Sequence, residues 1–174
     1  MTAHRSVRVI GIDAGGTKTL GLLVDGSGAL IRRHHAAGSN IRTVGKEASA
    51  QSLRAVLAGL SSDEASAVCI GAAGVGRERD LREFEQMVRA MLPPAAGLLV
   101  CSDAQIVLRA ATARRPALAV IAGTGSLVYG EGSKGHIRAG GYGAVIGDPG
   151  SGYAIGLAAI QTTAKALDLE NAHG

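Results

Sequence analysis

Apolar residues recur in short runs separated by glycine-rich breaks, and the period within the runs switches between two and three-to-four. Residues 7–12, 20–25 and 29–35 read as three strands, with Asp25-Gly26-Ser27-Gly28 turning the chain between the last two. Leu53, Val56, Leu57 and Leu60 then stand at helical spacing and predict a helix from about residue 45 to 60. A buried strand over 67–71 follows, then a helix presenting Leu81, Phe84, Val88 and Met91 that Pro93-Pro94 stops. A strand over 98–101 ends at Ser102-Asp103, where a helix begins with Val107, Leu108 and Ala111 as core positions. The order is β-β-β-α-β-α-β-α, an α/β pattern.

Arg114-Arg115-Pro116 is polar and then rigid, so a first domain is expected over 1–115 and a second over 116–174. The second opens like the first, with strands over 118–122, 126–129 and 135–139. A helix from about Tyr153 follows, expected to turn Leu157, Ile160, Ala164 and Leu167 inward. The later β-α-β units of the first half are not repeated, which leaves about three strands and an unpaired sheet edge. Such an edge predicts either poor order after about residue 116 or a partner, a second copy included, that covers it.

Composition changes the picture mainly through glycine. The chain has 26 glycines in 174 residues, clustered between apolar runs without a period, and these read as tight loops rather than collagen or a linker. Aromatic residues are confined to Phe84, Tyr129, Tyr142 and Tyr153. The net charge of +4 comes from arginines scattered over helix faces, such as Arg54, Arg77, Arg79, Arg82 and Arg89. With no basic run interleaved with aromatics, nucleic-acid binding is not expected, and the charge supports only a mild attraction to anionic substrates. Cys69 and Cys101 lie in apolar runs with no C-x-x-C pair and read as buried, reduced thiols of a cytoplasmic protein. His34 and His35 are adjacent in a strand, point to opposite faces and read as surface residues. Met1 to Arg8 lacks the apolar core of a signal peptide, and no apolar run approaches the ~20 residues of a membrane span.

The chemistry concentrates in the glycine loops. Asp13-Ala14-Gly15-Gly16-Thr17-Lys18-Thr19 joins two strands with two adjacent glycines, a carboxylate and two hydroxyls. It reads either as a tight hairpin turn or as an anion cradle, in which Gly15 and Gly16 expose backbone N–H groups to phosphate and Asp13 holds Mg²⁺. A second glycine loop, Gly71 to Gly76, follows the strand over 67–71. Ala122-Gly123-Thr124-Gly125-Ser126 repeats the theme after the first strand of the second part, and Gly140 to Gly152 forms a long glycine-rich segment. No G-x-x-x-x-G-K-[ST] is present, and the first glycine loop joins strand to strand, so neither a P-loop nor a Rossmann fingerprint fits.

Four motifs in order, Asp13–Thr19, Ser102-Asp103-Ala104, Ala122–Ser126 and Gly140–Gly152, give the chain its likeness to a known group. It resembles the N-acetylglucosamine and glucosamine kinase branch of the BadF/BadG/BcrA/BcrD ATPase family, part of the actin, Hsp70 and sugar-kinase fold. The resemblance implies a ribonuclease H-like, actin-like ATPase architecture, three antiparallel strands continued by parallel ones with flanking helices. The first domain would be complete and the second only begun, because family members are nearly twice as long and carry the adenosine site in the remainder. It implies ATP and Mg²⁺ as cofactors and a small-molecule amino sugar as partner. Gly15, Gly16, Thr17 and, from the other side, Thr124 between Gly123 and Gly125 match phosphate contacts. Asp103 matches the base that takes a proton from the sugar hydroxyl. Asn40, Ala73, Gly74, Ser126, Gly141, Tyr142, Gly143 and Asp148 match positions that line the sugar, together with Asp103. Ala73 stands where relatives can have a hydroxyl residue, and Tyr142 where Trp is common.

Each residue also has a plainer reading. Asp103 at a helix start can be an N-cap worth ~1 kcal/mol, or a base contributing perhaps 10²–10⁴-fold. Lys18 can neutralise phosphate or lie solvated, and Asp148 before Pro149 can be a turn residue or a sugar ligand. A Cys-rich zinc loop, as in the related repressor and sugar-kinase group, is absent. Cys69 and Cys101, on separate strands, do not suit the iron–sulfur activase branch. The expected activity is ATP-dependent phosphorylation of N-acetylglucosamine or glucosamine at the 6-hydroxyl. The competing readings are a sugar-binding or regulatory remnant without turnover and a BadF/BcrA-type ATPase with another target.

Overall fold

The computed structural model describes residues 7–172, with side chains described through residue 169. The chain divides into two compact units, Met1–Ile106 and Val107–Gly174.

The first unit is built on β1 (Arg8–Ala14), β2 (Lys18–Asp25), β3 (Leu30–Ala37), β4 (Ala67–Ala72) and β5 (Gly97–Ser102). The sheet order is β3-β2-β1-β4-β5. β1 pairs antiparallel with β2 and parallel with β4, and β4 pairs parallel with β5. The short helix α1 (Ile41–Val44) and α2 (Lys46–Gly59) follow β3, a 3₁₀ turn (Ser62–Glu64) precedes β4, and α3 (Glu78–Arg89) links β4 to β5. The mixed α/β architecture is the expected one.

Alternation along the strands separates two faces. Ile10, Ile12 and Ala14 of β1 and Val68, Ile70 and Ala72 of β4 are buried with Leu53, Val56, Leu57 and Leu60 of α2 and Phe84 and Val88 of α3. The opposite face carries Gly11 and Asp13 of β1, which pair with Cys69 and Gly71 of β4. There Ile106 of α4 (Asp103–Ala111) lies against Gly71, where any side chain would collide with it.

Several local expectations shift. Strands β1, β2 and β3 extend to Ala14, back to Lys18 and on to Ala37, because backbone pairing continues into the loop residues. The helix expected over about 45–60 is α2, and the short α1, which was not expected, precedes it across Gly45 at φ 82°. Leu108 is buried, but Val107 and Ala111 are exposed; α4 turns a single narrow stripe inward. Cys69 and Cys101 form no disulfide and are half-buried rather than core thiols, because they stand on the sheet face opposite the main cluster. His34 and His35 do point apart, but only His35 is exposed, since His34 is covered by Gly59 of α2.

The second unit is a meander of β6 (Ala117–Ala122), β7 (Ser126–Gly132) and β8 (Gly135–Gly140), paired antiparallel, followed by α5 (Gly152–Ala172). Regular elements run to Ala172. α4 crosses the division between units, and its residue Arg109 joins Arg115 of the linker in ion pairs with Glu131 of β7, at 2.8 and 2.7 Å. The expected inner face of α5 is not buried: Leu157, Ile160, Ala164 and Leu167 are all exposed, Ile160 by 69%. A helix stripe is buried only where a second layer meets it, and three strands supply too little surface for that.

Candidate functional site

In the first unit the site is assembled by strand register. Ala14 of β1, Ala72 of β4 and Ser102 of β5 lie in one row, so Gly15, Ala73 and Asp103 leave the carboxyl ends of three adjacent parallel strands. At the usual strand spacing of ~4.8 Å the row spans about 10 Å. Open α/β sheets bind ligands at such carboxyl ends, where strand order reverses about a central strand. Asp13 is exposed, in the row of Gly71 and Cys101.

The glycine hairpin is closed by Gly15 N–H donating to the Lys18 carbonyl at 3.1 Å. Gly16, Thr17 and Lys18 are exposed around it. The Gly15 carbonyl accepts from the backbone N–H groups of Ser39, at 2.9 Å, and Asn40, at 3.2 Å, which fastens the loop carrying Asn40 to the hairpin. Gly38 is compulsory here, since a Cβ would collide with the Gly16 carbonyl oxygen and lie 2.7 Å from its carbon.

Beneath this loop lies a buried set of hydroxyls that the sequence reading missed. Thr19 donates to the Ala37 carbonyl at 2.8 Å and sits 2.7 Å from the Ser39 hydroxyl, which therefore donates to it. Ser49 and Ser52 of α2 donate to the carbonyls of Ser39, at 2.7 Å, and Gly38, at 3.1 Å. Buried polar groups must be paired, so these bonds fix the backbone from Ala37 to Ser39. The available signal was two serines one turn apart on the helix face that also carries Leu53 and Val56.

Asn40 caps α1, its Oδ1 accepting from Arg42 N–H at 3.0 Å. The structure brings Asn40 and Gly74 together: Gly74 has φ +85°, and a Cβ on it would strike the Asn40 side chain. Asp103 occupies the first turn of α4, with Oδ1 accepting from Ala104 N–H at 2.8 Å. The capping hydroxyl is that of Ser102, which accepts from Gln105 N–H at 3.3 Å. Ser102-Asp103-Ala104-Gln105 fits the S-x-x-Q capping pattern, which already pointed to Ser102 rather than Asp103. The helix N-terminus stabilises negative charge on Asp103.

The second unit holds the other expected residues. Gly123, Thr124 and Gly125 form the β6–β7 turn, closed by Gly123 N–H to the Gly125 carbonyl at 2.9 Å. Thr124 is exposed. The start of α5 is tied to this turn by Gly152 N–H donating to the Gly123 carbonyl at 2.8 Å, and Ser126 Oγ donates to the Pro149 carbonyl at 2.8 Å. These bonds bring Asp148 onto the turn: a Cβ on Gly125 would lie 2.8 Å from Asp148 Oδ2. Asp148 is 7% exposed, adopts φ +61°, and its Oδ1 is buried without a hydrogen-bond partner. A carboxylate oxygen left unpaired in a strained, buried position is costly, and such features concentrate at ligand sites. Gly141 and Gly143 also have positive φ, with Arg138 donating to the Gly141 carbonyl at 3.0 Å. Tyr142 is 70% exposed, and a Cβ on Gly147 would lie 3.0 Å from its Cβ.

Residues 10–173 match the BadF/BadG/BcrA/BcrD ATPase family. The chain belongs to that family. This BadF/BadG/BcrA/BcrD-family chain is 38% identical over 167 residues to an N-acetylmuramic acid/N-acetylglucosamine kinase of Clostridium acetobutylicum, covering 92% of this chain and 54% of that one. It is 32% identical over 176 residues to an N-acetyl-D-glucosamine kinase of Dictyostelium discoideum, covering 91% and 54%. A crystal structure from Chromobacterium violaceum, provisionally titled an N-acetylglucosamine kinase, superposes with TM-score 0.73 at 27% identity, covering 94% of this chain and 59% of that one. The fold is therefore that of the actin-like sugar kinases, as expected. The chain spans about half the length of the curated relatives it matches.

The family this chain belongs to is described as one of ATPases. Among the described residues no group of three or more His, Cys, Asp or Glu side chains forms a metal cage. Mg²⁺ carried on nucleotide phosphates needs only one or two carboxylates, so the exposed Asp13 beside the glycine hairpin fits that group. No helix among the described residues is long and apolar enough to cross a membrane.

Proposed function

We propose that this chain forms the sugar-binding and phosphate-binding part of an ATP-dependent amino-sugar kinase acting on the 6-hydroxyl of N-acetylglucosamine or glucosamine. The observation that carries the reading is the row formed by Gly15, Ala73 and Asp103 at the carboxyl ends of β1, β4 and β5. On that row stand the residues assigned here to phosphate (Gly15), to the sugar (Ala73) and to the base (Asp103), on adjacent strands of one sheet.

In this reading Asp103 accepts the proton of the sugar 6-hydroxyl as its oxygen forms the new bond to phosphorus, while the bond from phosphorus to the leaving diphosphate breaks. Because Ser102 performs the capping, the Asp103 carboxylate can serve the reaction without loss of the helix start. Asn40, Ala73 and Gly74 of the first unit, and Ser126, Gly141, Tyr142, Gly143 and Asp148 of the second, are the residues assigned to the sugar. The unpaired Asp148 Oδ1 is suited to accept from a sugar hydroxyl. Gly15, Gly16, Thr17, Gly123, Thr124 and Gly125 offer backbone N–H and hydroxyl donors to phosphate, and Lys18 offers positive charge. ATP supplies the phosphoryl group, and Mg²⁺ held through water by Asp13 offsets its charge. We propose 1–115 and 116–174 as the domain limits: α4 starts against Gly71 of the first sheet, and its Arg109 pairs with Glu131 of β7.

A coupled ADP assay across N-acetylglucosamine, glucosamine, N-acetylmuramic acid and glucose tests the proposal. ADP release dependent on an amino sugar, lost by 10²-fold or more in Asp103→Asn, is expected. Release without sugar dependence, or full activity in Asp103→Asn, refutes it. The exposed apolar face of α5 favours one second reading, a sugar-binding chain without turnover that associates with a second copy. Titration calorimetry that finds sugar binding without ATP binding, together with a dimer on sedimentation, supports that alternative.

A further inference from the structure

Arg42 has no part in the proposal above, yet it touches both first-unit loops that carry residues assigned to the sugar, and the start of α3. Its backbone N–H donates to Asn40 Oδ1 at 3.0 Å, and its Nε donates to the Gly74 carbonyl at 3.0 Å. Its guanidinium also forms an ion pair with Asp80 in the first turn of α3. Gly74 lies so close that a Cβ there would stand 3.1 Å from Asn40 Cγ and 3.5 Å from Arg42 Cγ. Asn40 arrives from the β3–α1 loop and Gly74 from the β4–α3 loop. Arg42 is the bridge between the two.

We propose that Arg42 is a positioning residue for amino-sugar binding: it fixes the distance between Asn40 and the Gly74 loop through its bond to the Gly74 carbonyl. The inference rests on the amino-sugar reading. An ion pair as exposed as that with Asp80, with side-chain exposures of 48% and 24%, contributes little to stability, so the value of Arg42 lies in geometry. The guanidinium fork serves Gly74 and Asp80 at once, in fixed directions; a lysine ammonium on a flexible stem does not reproduce both.

The test is calorimetric titration of N-acetylglucosamine and, separately, of a non-hydrolysable ATP analogue into wild type, Arg42→Lys, Arg42→Met and Asp80→Asn, with melting curves for each. A lost hydrogen bond from a charged donor predicts about tenfold weaker sugar binding in both Arg42 variants. The melting temperature should fall by only the few degrees that one exposed hydrogen bond is worth, and the affinity for the nucleotide analogue should be unchanged. Asp80→Asn, which leaves the Gly74 bond in place, should lose no more than about threefold. Sugar affinity in Arg42→Lys within twofold of wild type overturns the inference, as does a parallel loss of nucleotide affinity and melting temperature. A wild-type chain that binds no amino sugar refutes the functional reading and this inference with it. Wild-type binding that Arg42→Met leaves intact refutes the inference alone.

Discussion

Replacing Gly38 with alanine should damage the hairpin without touching any ligand. The new methyl would collide with the Gly16 carbonyl oxygen, and would stand 2.7 Å from Gly16 C and 3.2 Å from Thr17 C. Carbon atoms pack at ~3.5–4.0 Å, so the overlap is about 1 Å, and it falls on backbone that has no rotamer to change. Neither side yields easily. The Gly38 loop is held below by Ser49 and Ser52 and above by the Gly15 carbonyl. Overpacking of this kind costs about 1–3 kcal/mol, and one broken bond from the Gly15 carbonyl adds about 1 kcal/mol. Alanine recovers about 0.4–1 kcal/mol by restricting the unfolded chain, and the backbone at Gly38 is not in the left-handed region. The net loss is about 2–3 kcal/mol. In a unit of about a hundred residues that lowers the melting temperature by on the order of 10–20 °C. Scanning calorimetry of Gly38→Ala beside Gly11→Ala, a position with open space around it, provides the measurement. If Gly38→Ala melts within about 2 °C of wild type, the contact between the loop and the hairpin is not as described here.

Three other perturbations reach different parts of the molecule. Ser49→Ala removes the donor to the buried Ser39 carbonyl and should cost about 1–3 kcal/mol by urea unfolding, whereas a loss below ~0.5 kcal/mol would mean that the hydroxyl network does not support the Asn40 loop. Gly125→Ala places a methyl 2.8 Å from Asp148 Oδ2 and should weaken sugar binding by about tenfold or more while the circular dichroism spectrum is kept; unchanged sugar affinity would show that Asp148 does not face the sugar from this position. Burial of Glu131 raises its pKa, but the Tyr129 hydroxyl and the guanidinium groups of Arg115 and Arg109 outweigh this and hold it below the ordinary value of 4.5. A carboxylate depressed in the folded state stabilises above its unfolded pKa, and that stability drains as pH falls through the lower folded value. Glu131→Gln should therefore melt lower than wild type at neutral pH and lose less on acidification below pH 4.5, as followed by melting curves; an equal slope for the two proteins would contradict this.

Much of the fold was legible as period. The strand and helix spacing, the two glycine hairpins and the resemblance they carry all follow from local rules, since a run that alternates and ends in glycine has few other ways to be satisfied. Asp103 was likewise readable as the residue after a strand, and Ser102-Asp103-Ala104-Gln105 held the evidence that the cap belongs to Ser102. What spacing along the chain cannot carry is which strand lies next to which. Asp13, Gly71 and Cys101 share a row only because β1, β4 and β5 pair in parallel, and those pairings join residues far apart in sequence.

The same limit explains the misreadings. Leu157, Ile160 and Leu167 have a helical period but are exposed, because a stripe records a preference for burial and not the presence of a surface to meet it. Ser49 and Ser52 looked like ordinary polar helix residues until the β3–α1 loop brought the carbonyls of Gly38 and Ser39 over them. Element types and the glycine loops are thus properties of the chain's own pattern. The row of Gly15, Ala73 and Asp103, the bridge made by Arg42 and the unpaired oxygen of Asp148 arise from long-range packing, in which hydrogen bonding and close contact join segments that no local pattern relates.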